Sequence, residues 1–299
     1  MNNTITWPQK TREIREGLVD STHWKHLKFR DDDIVIDTYA KSGTNWLAQI
    51  VAQLIYAGAA DRIGMAMGAY LEMTWVSLEA TLASAEAQTD RRFFRSHLPL
   101  DALPFNPNAK YICMGRDARD IVWSAHNHRA NFSPTLRDLF KDAPGWNIDI
   151  RAYYRHWLEH DDGMGIWAGS LWQYAQSCWN ARHLSNVLLV HFNNLKADLG
   201  GEIRRIAAFL EISIDEATWP AILEHCSFGY MRGAASKVEI LERNFLQGGK
   251  TIINKGTNGR WKDVLSADEI ARCDELAAEH LTPDCAHWLK TGELPNSEE

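Results

Sequence analysis

Lys41, Ser42, Gly43 and Thr44 stand together where the residue pattern of the chain changes abruptly. Upstream, Ile34, Ile36 and Thr38 alternate with Val35, Asp37 and Tyr39 as in a strand; downstream, Leu47, Ile50, Val51, Leu54 and Ile55 recur at helical spacing. A cation, hydroxyls and a glycine in a strand-to-helix turn aim N–H donors and positive charge at one place, where a phosphate would sit. The Walker sequence is missing, because Ala40 precedes the lysine and no glycine lies upstream in the turn. The turn reads as a phosphate cradle and argues against an ordinary nucleoside triphosphatase.

Four further segments hold residues able to do chemistry. Arg95-Ser96-His97-Leu98-Pro99 ends a second strand pattern, and strand C-termini are where open α/β sheets place ligands. A histidine there can act as a general base near neutral pH, although a lone one at a strand end is more often structural. Arg116, at the start of a helix that carries Ser124, suits a phosphate; Arg119 and Asp120 read as an exposed or structural charge set. The turn Asn254-Lys255-Gly256-Thr257-Asn258-Gly259-Arg260-Trp261-Lys262 is a second candidate anion site, and residues 190–196 end a last strand.

The elements that must position these residues alternate. Strands are predicted at 34–39, 92–97, 110–115 and 187–192, and helices at 45–58, 73–86, 117–130, 148–160, 170–184, 199–210, 215–226 and 267–280. The last helix opens with the capping box Ser266 and Glu269. Such alternation favours one α/β domain, a central parallel sheet flanked by helices. Pro134, Pro144 and Pro220 mark turns, Asp161-Asp162-Gly163 a loop, and 234–259 a long irregular loop, of the kind that serves as a lid or is disordered.

Composition limits the alternatives. The 299 residues carry 32 basic and 39 acidic side chains, net −7, so non-specific nucleic-acid binding by bulk charge is excluded and any anion site must be local. Five scattered cysteines without zinc or CxxC spacing favour a reduced, cytoplasmic setting. The N-terminus lacks the apolar core of a secretory signal, and no apolar run is long enough to span a membrane. No metal-binding cluster stands out; His126 and His128 diverge on a helix and fit the lining of a pocket better than a ligand pair. The 13 tryptophans read first as core and second as an aromatic pocket.

In order and spacing these segments resemble the cytosolic-type sulfotransferases, which move a sulfuryl group from 3′-phosphoadenosine 5′-phosphosulfate (PAPS) to an acceptor. The family's loop T-Y-P-K-S-G-T-T-W is similar to 38–46, with Ala40 for Pro and Asn45 for Thr. Its K-T-H-L-P resembles 95–99, and its R-N-P-K-D with a downstream serine resembles 116–120 and Ser124. Its F-Y-E-D-L-K resembles 191–196, its H-T-S-F-x-x-M resembles 225–231, and its R-K-G-x-x-G-D-W-K resembles 254–262.

The resemblance implies the P-loop-kinase-like sulfotransferase fold as a single domain over 1–299, with roughly the first 20 residues peripheral and 234–259 covering the nucleotide. It implies that Lys41 contacts the bridging oxygen and the 5′-phosphate, and that Ser42, Gly43, Thr44 and Asn45 cradle that phosphate beside Trp46 near the adenine. Arg116 and Ser124 would hold the 3′-phosphate. Phe192, Cys226, Phe228 and Met231 would line the adenine pocket, and Asn254, Lys255 and Gly256 would close over the 3′-phosphate. His97 would take the proton of the acceptor hydroxyl during in-line attack on sulfur, and Arg95 would steady the sulfuryl oxygens. The spent nucleotide would be 3′-phosphoadenosine 5′-phosphate (PAP), and no metal would be required.

Departures qualify the match. Asn254 replaces an arginine, which removes one bidentate phosphate contact. Arg260 replaces an acidic residue and could restore the charge from another direction. Phe192 for tyrosine and Cys226 for threonine each lose a hydroxyl. The family's K-x-x-x-T-V-x-x-x-E dimer motif is not matched after Lys262, so monomer or dimer stays open and a dimer would need another interface. Residues 65–78, 126–140 and 146–172 would line an apolar entrance suited to a small hydroxyl acceptor, a phenol, alcohol or lipid. Two alternatives remain: a nucleotide kinase with a degenerate loop, and a non-catalytic nucleotide-binding protein.

Overall fold

The computed structural model describes residues 8–143, 146–161 and 169–295. A short hairpin, β1 (Arg15–Glu16) and β2 (Val19–Asp20), precedes β3 (Ile34–Thr38), α1 (Thr44–Ile55), α2 (Leu78–Glu86), β4 (Phe93–Ser96), β5 (Lys110–Gly115), α3 (Ala118–Ala130), α4 (Pro134–Leu139), α5 (Ile150–His160), α6 (Leu171–Ala181) and β6 (Val187–His191). The rest is helical: α7 (Phe192–Ala197), α8 (Leu199–Phe209), α9 (Trp219–His225), α10 (Phe228–Ala235), α11 (Glu239–Asn244), α12 (Ala267–His280) and α13 (Pro283–Thr291).

The central sheet has the order β4-β3-β5-β6 and is parallel throughout. All five residues of β3 are buried, as a strand covered on both faces requires. Its alternate side chains enter two cores: Val35 and Tyr39 pack with α3 and α6, whereas Ile34 and Ile36 pack with α1 and α8. Parallel pairing brings the C-terminal ends of β3, β4, β5 and β6 to one edge. The turns after those strands carry Lys41, His97, Arg116 and Phe192, so the topology alone gathers residues up to about 150 positions apart.

Several expectations are corrected. The helix predicted from 73 starts at Leu78, because Met73 bridges to Val19 and the Ser77 hydroxyl caps the Ala80 N–H. The helix predicted from 215 starts at Trp219, and Phe192 opens α7 rather than ending a strand. Within 234–259 lie the end of α10, all of α11 and a 3₁₀ turn at Gly249–Thr251, so that stretch is structured. Ile14 and Val19 are buried in the larger core, so the part of the N-terminal segment around them is integral rather than peripheral; residues 1–7 lie outside the described residues. The turn predicted at Pro144 and the Asp162-Gly163 part of the predicted loop lie outside the described residues. Among the described residues, no helix is long and apolar enough to cross a membrane.

Candidate active site

The turn between β3 and α1 is held by backbone that few residues adopt. Lys41 lies at φ +71° and Gly43 at +127°, and a non-glycine residue in the left-handed region costs of order 1–3 kcal/mol, strain that tends to collect at functional sites. A Cβ on Gly43 would stand 2.6 Å from the Met114 methyl carbon, so only glycine fits where β5 passes beneath. Gly43 caps α1 without a side-chain hydrogen bond, and while the Trp46 N–H donates to the Gly43 carbonyl at 2.8 Å, the N–H groups of Thr44 and Asn45 are left to the turn's mouth. Ser42 is fully buried under the turn, and its hydroxyl has no hydrogen-bond partner among the described residues.

Above this turn opens a cavity of about 420 Å³. Lys41, Gly43, Thr44, Asn45 and Trp46 form one side; Arg116, Asp120, Trp123, Ser124 and His128 come from β5 and α3. Residues 252–257 and Arg260 roof it. Of the charged lining residues, Lys41, Arg116, Lys196, Lys255 and Arg260 are basic and Asp120 alone is acidic, a local positive field in a chain of net charge −7.

Arg116 is the anchor of that field. One terminal nitrogen donates to the Lys41 carbonyl at 2.9 Å and the other to Asn258 Oδ1 at 2.8 Å, while its plane lies 4.0 Å above the Phe192 ring. Its Nε is buried without a partner among the described residues. Burial pulls its pKa down to about 10, against the pull of Asp120 and Asp117. Lys41 is half-buried, and desolvation, helped by the charge on Arg116, lowers its ammonium to about 7. An ammonium and a guanidinium that both lose stability in the empty cavity are poised to gain it from an anion.

His97 reaches the same cavity from the end of β4. Its Nδ1 stands 2.7 Å from the Thr38 carbonyl oxygen. A carbonyl can only accept, so Nδ1 carries the proton and Nε2 is left as a bare acceptor. Burial, together with the charges on Arg95 and Lys41, lowers its pKa to about 4, which keeps the ring neutral at pH 7. Its backbone N–H donates to Glu72 Oε1 at 2.9 Å, and Tyr70 packs 5.1 Å from the imidazole.

Trp46, Phe192, Phe228 and Met231 give the same cavity an apolar stretch of lining. Trp46 meets Phe192 edge-on at 5.3 Å, and its indole N–H donates to the Cys226 carbonyl at 2.9 Å. Besides the Arg116–Asn258 bond, the roof is tied down by Gly259 N–H to Asp120 Oδ1 at 2.7 Å, Lys196 Nζ to the Gly256 carbonyl at 2.6 Å, and the Asn258 amide N–H to Asn193 Oδ1 at 2.6 Å. Gly256 has φ +62°, and a Cβ there would press to 2.7 Å from Phe228.

A sulfotransferase domain family matches residues 31–283, most of the chain. The chain belongs to the sulfotransferase family. This sulfotransferase is 27% identical to a Mycobacterium bovis glycolipid sulfotransferase, with 95% of this chain and 96% of that one covered. It is 27% identical to human sulfotransferase 2A1, over 90% of this chain and 88% of the relative. A mouse sulfotransferase solved with PAP shares the fold at a TM-score of 0.68 and 22% identity, covering 91% of each chain. Retinol dehydratase, solved with retinol and PAP, does so at 0.71 and 21%, covering 89% of this chain and 87% of that one.

The sulfotransferase gathers Lys41, Gly43, Thr44, Asn45, Trp46, His97, Arg116, Ser124, Phe192, Phe228, Met231, Asn254, Lys255 and Gly256 around one cavity. Three expected residues are placed differently. Cys226 turns its thiol into the core and offers the site only its carbonyl. Ser42 lies beneath the floor. Arg95 is outside the lining: its guanidinium donates to the Gly68 carbonyl at 2.7 Å and to Asn45 Oδ1 at 3.3 Å, and stacks 4.4 Å from Tyr70, so it braces those neighbours. Arg119 and Asp120 are buried rather than exposed. Arg119 pairs with Asp117 at 2.7 Å and lies over Trp261.

Sequence reasoning missed Glu72, Asp120 and Lys196 as parts of the site. Each acts on backbone brought close only by the fold, so no local pattern marks them. Residues 146–172 do not line the cavity among those described; Trp157 and Trp172 are core. Asp37, Cys113 and Cys178 place their ligand atoms within 4.8 Å of one another, a trio that their spacing in sequence concealed. None of the three lines the cavity, and burial raises the pKa of each, which favours a neutral acid and two thiols.

Proposed function

We propose that this sulfotransferase uses PAPS as donor and transfers its sulfuryl group to a hydroxyl of a small, largely apolar acceptor, with His97 as general base. The observation that carries the reading is the shared cavity. A neutral imidazole with a bare Nε2, a lysine held near neutrality and an uncapped helix N-terminus open onto one space.

The residues fit a doubly phosphorylated adenosine. Arg116, in the lining, has a buried Nε without a partner among the described residues, and such an orphan donor is costly unless a ligand satisfies it. Gly43 and Gly256 hold the backbone close on both sides of the cavity. In this reading the N–H groups at 43–45 and Lys41 hold the 5′-phosphate, Arg116, Ser124 and Lys255 hold the 3′-phosphate, and Asn254 and Gly256 close over it. Trp46, Phe192, Phe228 and Met231 hold the base.

When the acceptor attacks, His97 Nε2 takes the hydroxyl proton as the oxygen–sulfur bond forms. Protonated Lys41 meets the negative charge that collects on the leaving phosphate oxygen. Positioning and charge stabilisation supply most of the acceleration in such transfers, and a placed base adds roughly 10²–10⁴-fold. Arg95 acts by holding Tyr70 and Asn45 in place.

Tyr70, Trp123, His128, Ile252 and Ile253 line the rest of the cavity, which supports an apolar alcohol or phenol over a polyanionic sugar. The glycolipid sulfotransferase and the retinol-bound relative point the same way. Free, buried cysteines suit a cytoplasmic protein. The test is transfer of labelled sulfate from PAPS to a panel of phenols, sterols and long-chain alcohols, with and without chelator. Transfer unaffected by chelator is expected; transfer to none of them would reject the reading.

A further inference from the structure

Arg260 lines the same cavity as Arg116 and Ser124, and its charge acts on Arg116. It is half-buried, and it makes no hydrogen bond or ion pair of 4.0 Å or less among the described residues. That is unusual for a guanidinium facing a cavity. The other arginine there, Arg116, has committed both terminal nitrogens to Lys41 and Asn258. The two cations are close enough for Arg260 to act on Arg116, and the charge of Asp120 acts on both.

The backbone explains why Arg260 points inward. Gly259, at φ +77°, donates its N–H to Asp120 Oδ1 at 2.7 Å, so the turn is pinned to α3 at the residue just before the arginine. With that N–H satisfying one carboxylate oxygen, Asp120 fixes the turn and only partly offsets the charge of Arg260. Asn254, also in the lining, offers the cavity a neutral amide. The guanidiniums of the lining are therefore those of Arg116 and Arg260.

We infer that Arg260 is a principal ligand of the donor's 3′-phosphate and gives this enzyme its preference for a 3′-phosphorylated nucleotide. The inference rests on the PAPS reading above. Two guanidiniums share one acid in this lining, and a dianion between them would turn their repulsion into charge-assisted contacts. An arginine fork suits this task because it can present two parallel N–H groups to one phosphate.

The experiment is titration of PAP and of adenosine 5′-phosphate into wild type, Arg260→Ala, Arg260→Lys and the double variant Asn254→Arg/Arg260→Ala. Thermal melts of the ligand-free proteins report folding. Loss of a charge-assisted contact predicts that Arg260→Ala weakens PAP binding about 10- to 100-fold. Adenosine 5′-phosphate binding should change by less than about threefold, because it lacks the phosphate concerned. The lysine should retain part of the affinity, and the arginine at 254 should restore much of it.

PAP affinity equal to wild type in Arg260→Ala would overturn the assignment. So would an equal loss for both nucleotides, which would mark a structural role. If the melt of Arg260→Ala falls sharply, the Arg260→Lys protein decides: a partial loss confined to PAP upholds the inference, whereas unchanged PAP affinity or an equal loss for both nucleotides overturns it. Wild type that binds no PAP would reject the PAPS reading itself, and this inference with it.

Discussion

The Nδ1 of His97 stands 2.7 Å from the carbonyl oxygen of Thr38, the last residue of the strand that runs into the phosphate turn. One backbone group thus links the base to the anion cradle. The distance from base to cradle is set by the pairing of β4 with β3, where Asp37 lies opposite Ser96, rather than by flexible side chains. Replacing His97 with alanine removes the base and leaves the cradle. Turnover is expected to fall roughly 10²–10⁴-fold, while PAP affinity measured by calorimetry stays within about twofold of wild type. Unchanged turnover would remove His97 from the mechanism.

The two perturbed groups set the pH profile. His97, lowered to about 4 by burial, is neutral and able to accept a proton above that pH. Lys41, lowered to about 7 by burial and Arg116, loses its charge in the free enzyme above that pH. The profile of kcat/KM for the donor reports free-enzyme groups. It should be level from about pH 5 to 6 and decline through pH 7 and above as Lys41 deprotonates. Lys41→Arg should move the decline to much higher pH, because a guanidinium stays charged. A profile that still rises between pH 6 and 8 would contradict these assignments.

Glu72 holds the base from behind. Its carboxylate accepts from the His97 backbone N–H and from the Trp24 indole N–H, each at 2.9 Å, in a fully buried setting. Glu72→Ala leaves two buried donors unpaired, at a cost of about 1–3 kcal/mol for each. The variant should melt at a lower temperature and lose kcat with little change in KM, whereas Glu72→Gln, which keeps one acceptor oxygen, should recover part of both. Thermal melts with steady-state kinetics check this. A stable, fully active alanine variant would deny Glu72 a positioning role.

Much of this site was legible in the sequence because its residues sit next to strand ends. Strand periodicity located β3 and β5, and the residues after them, Lys41 and Arg116, followed directly. Parallel pairing then made adjacency in space a consequence of chain order. Elements with too few residues for a period were less visible: α4 and α13 are each signalled by a Ser-Pro or Thr-Pro start alone, and α11 has no side-chain cap. Residues that work through contacts distant in sequence left no local mark. Asp120 reads as a helix-surface acid until Gly259 is placed against it, and Arg95 reads as a cavity cation until the Gly68 carbonyl and Tyr70 claim it. Cys226 matched a binding position by order, yet the turn of α9 sends its thiol into the core.

The most direct test of the central claim is titration of PAP into the wild-type protein near pH 8, in two buffers of different ionisation enthalpy. One site per chain is expected. Lys41, largely neutral in the free protein at that pH, should gain a proton as the bisphosphate binds, so the observed heat should differ between the buffers in the direction of proton uptake. The absence of any binding heat in both buffers would contradict the claim that this cavity holds a doubly phosphorylated adenosine.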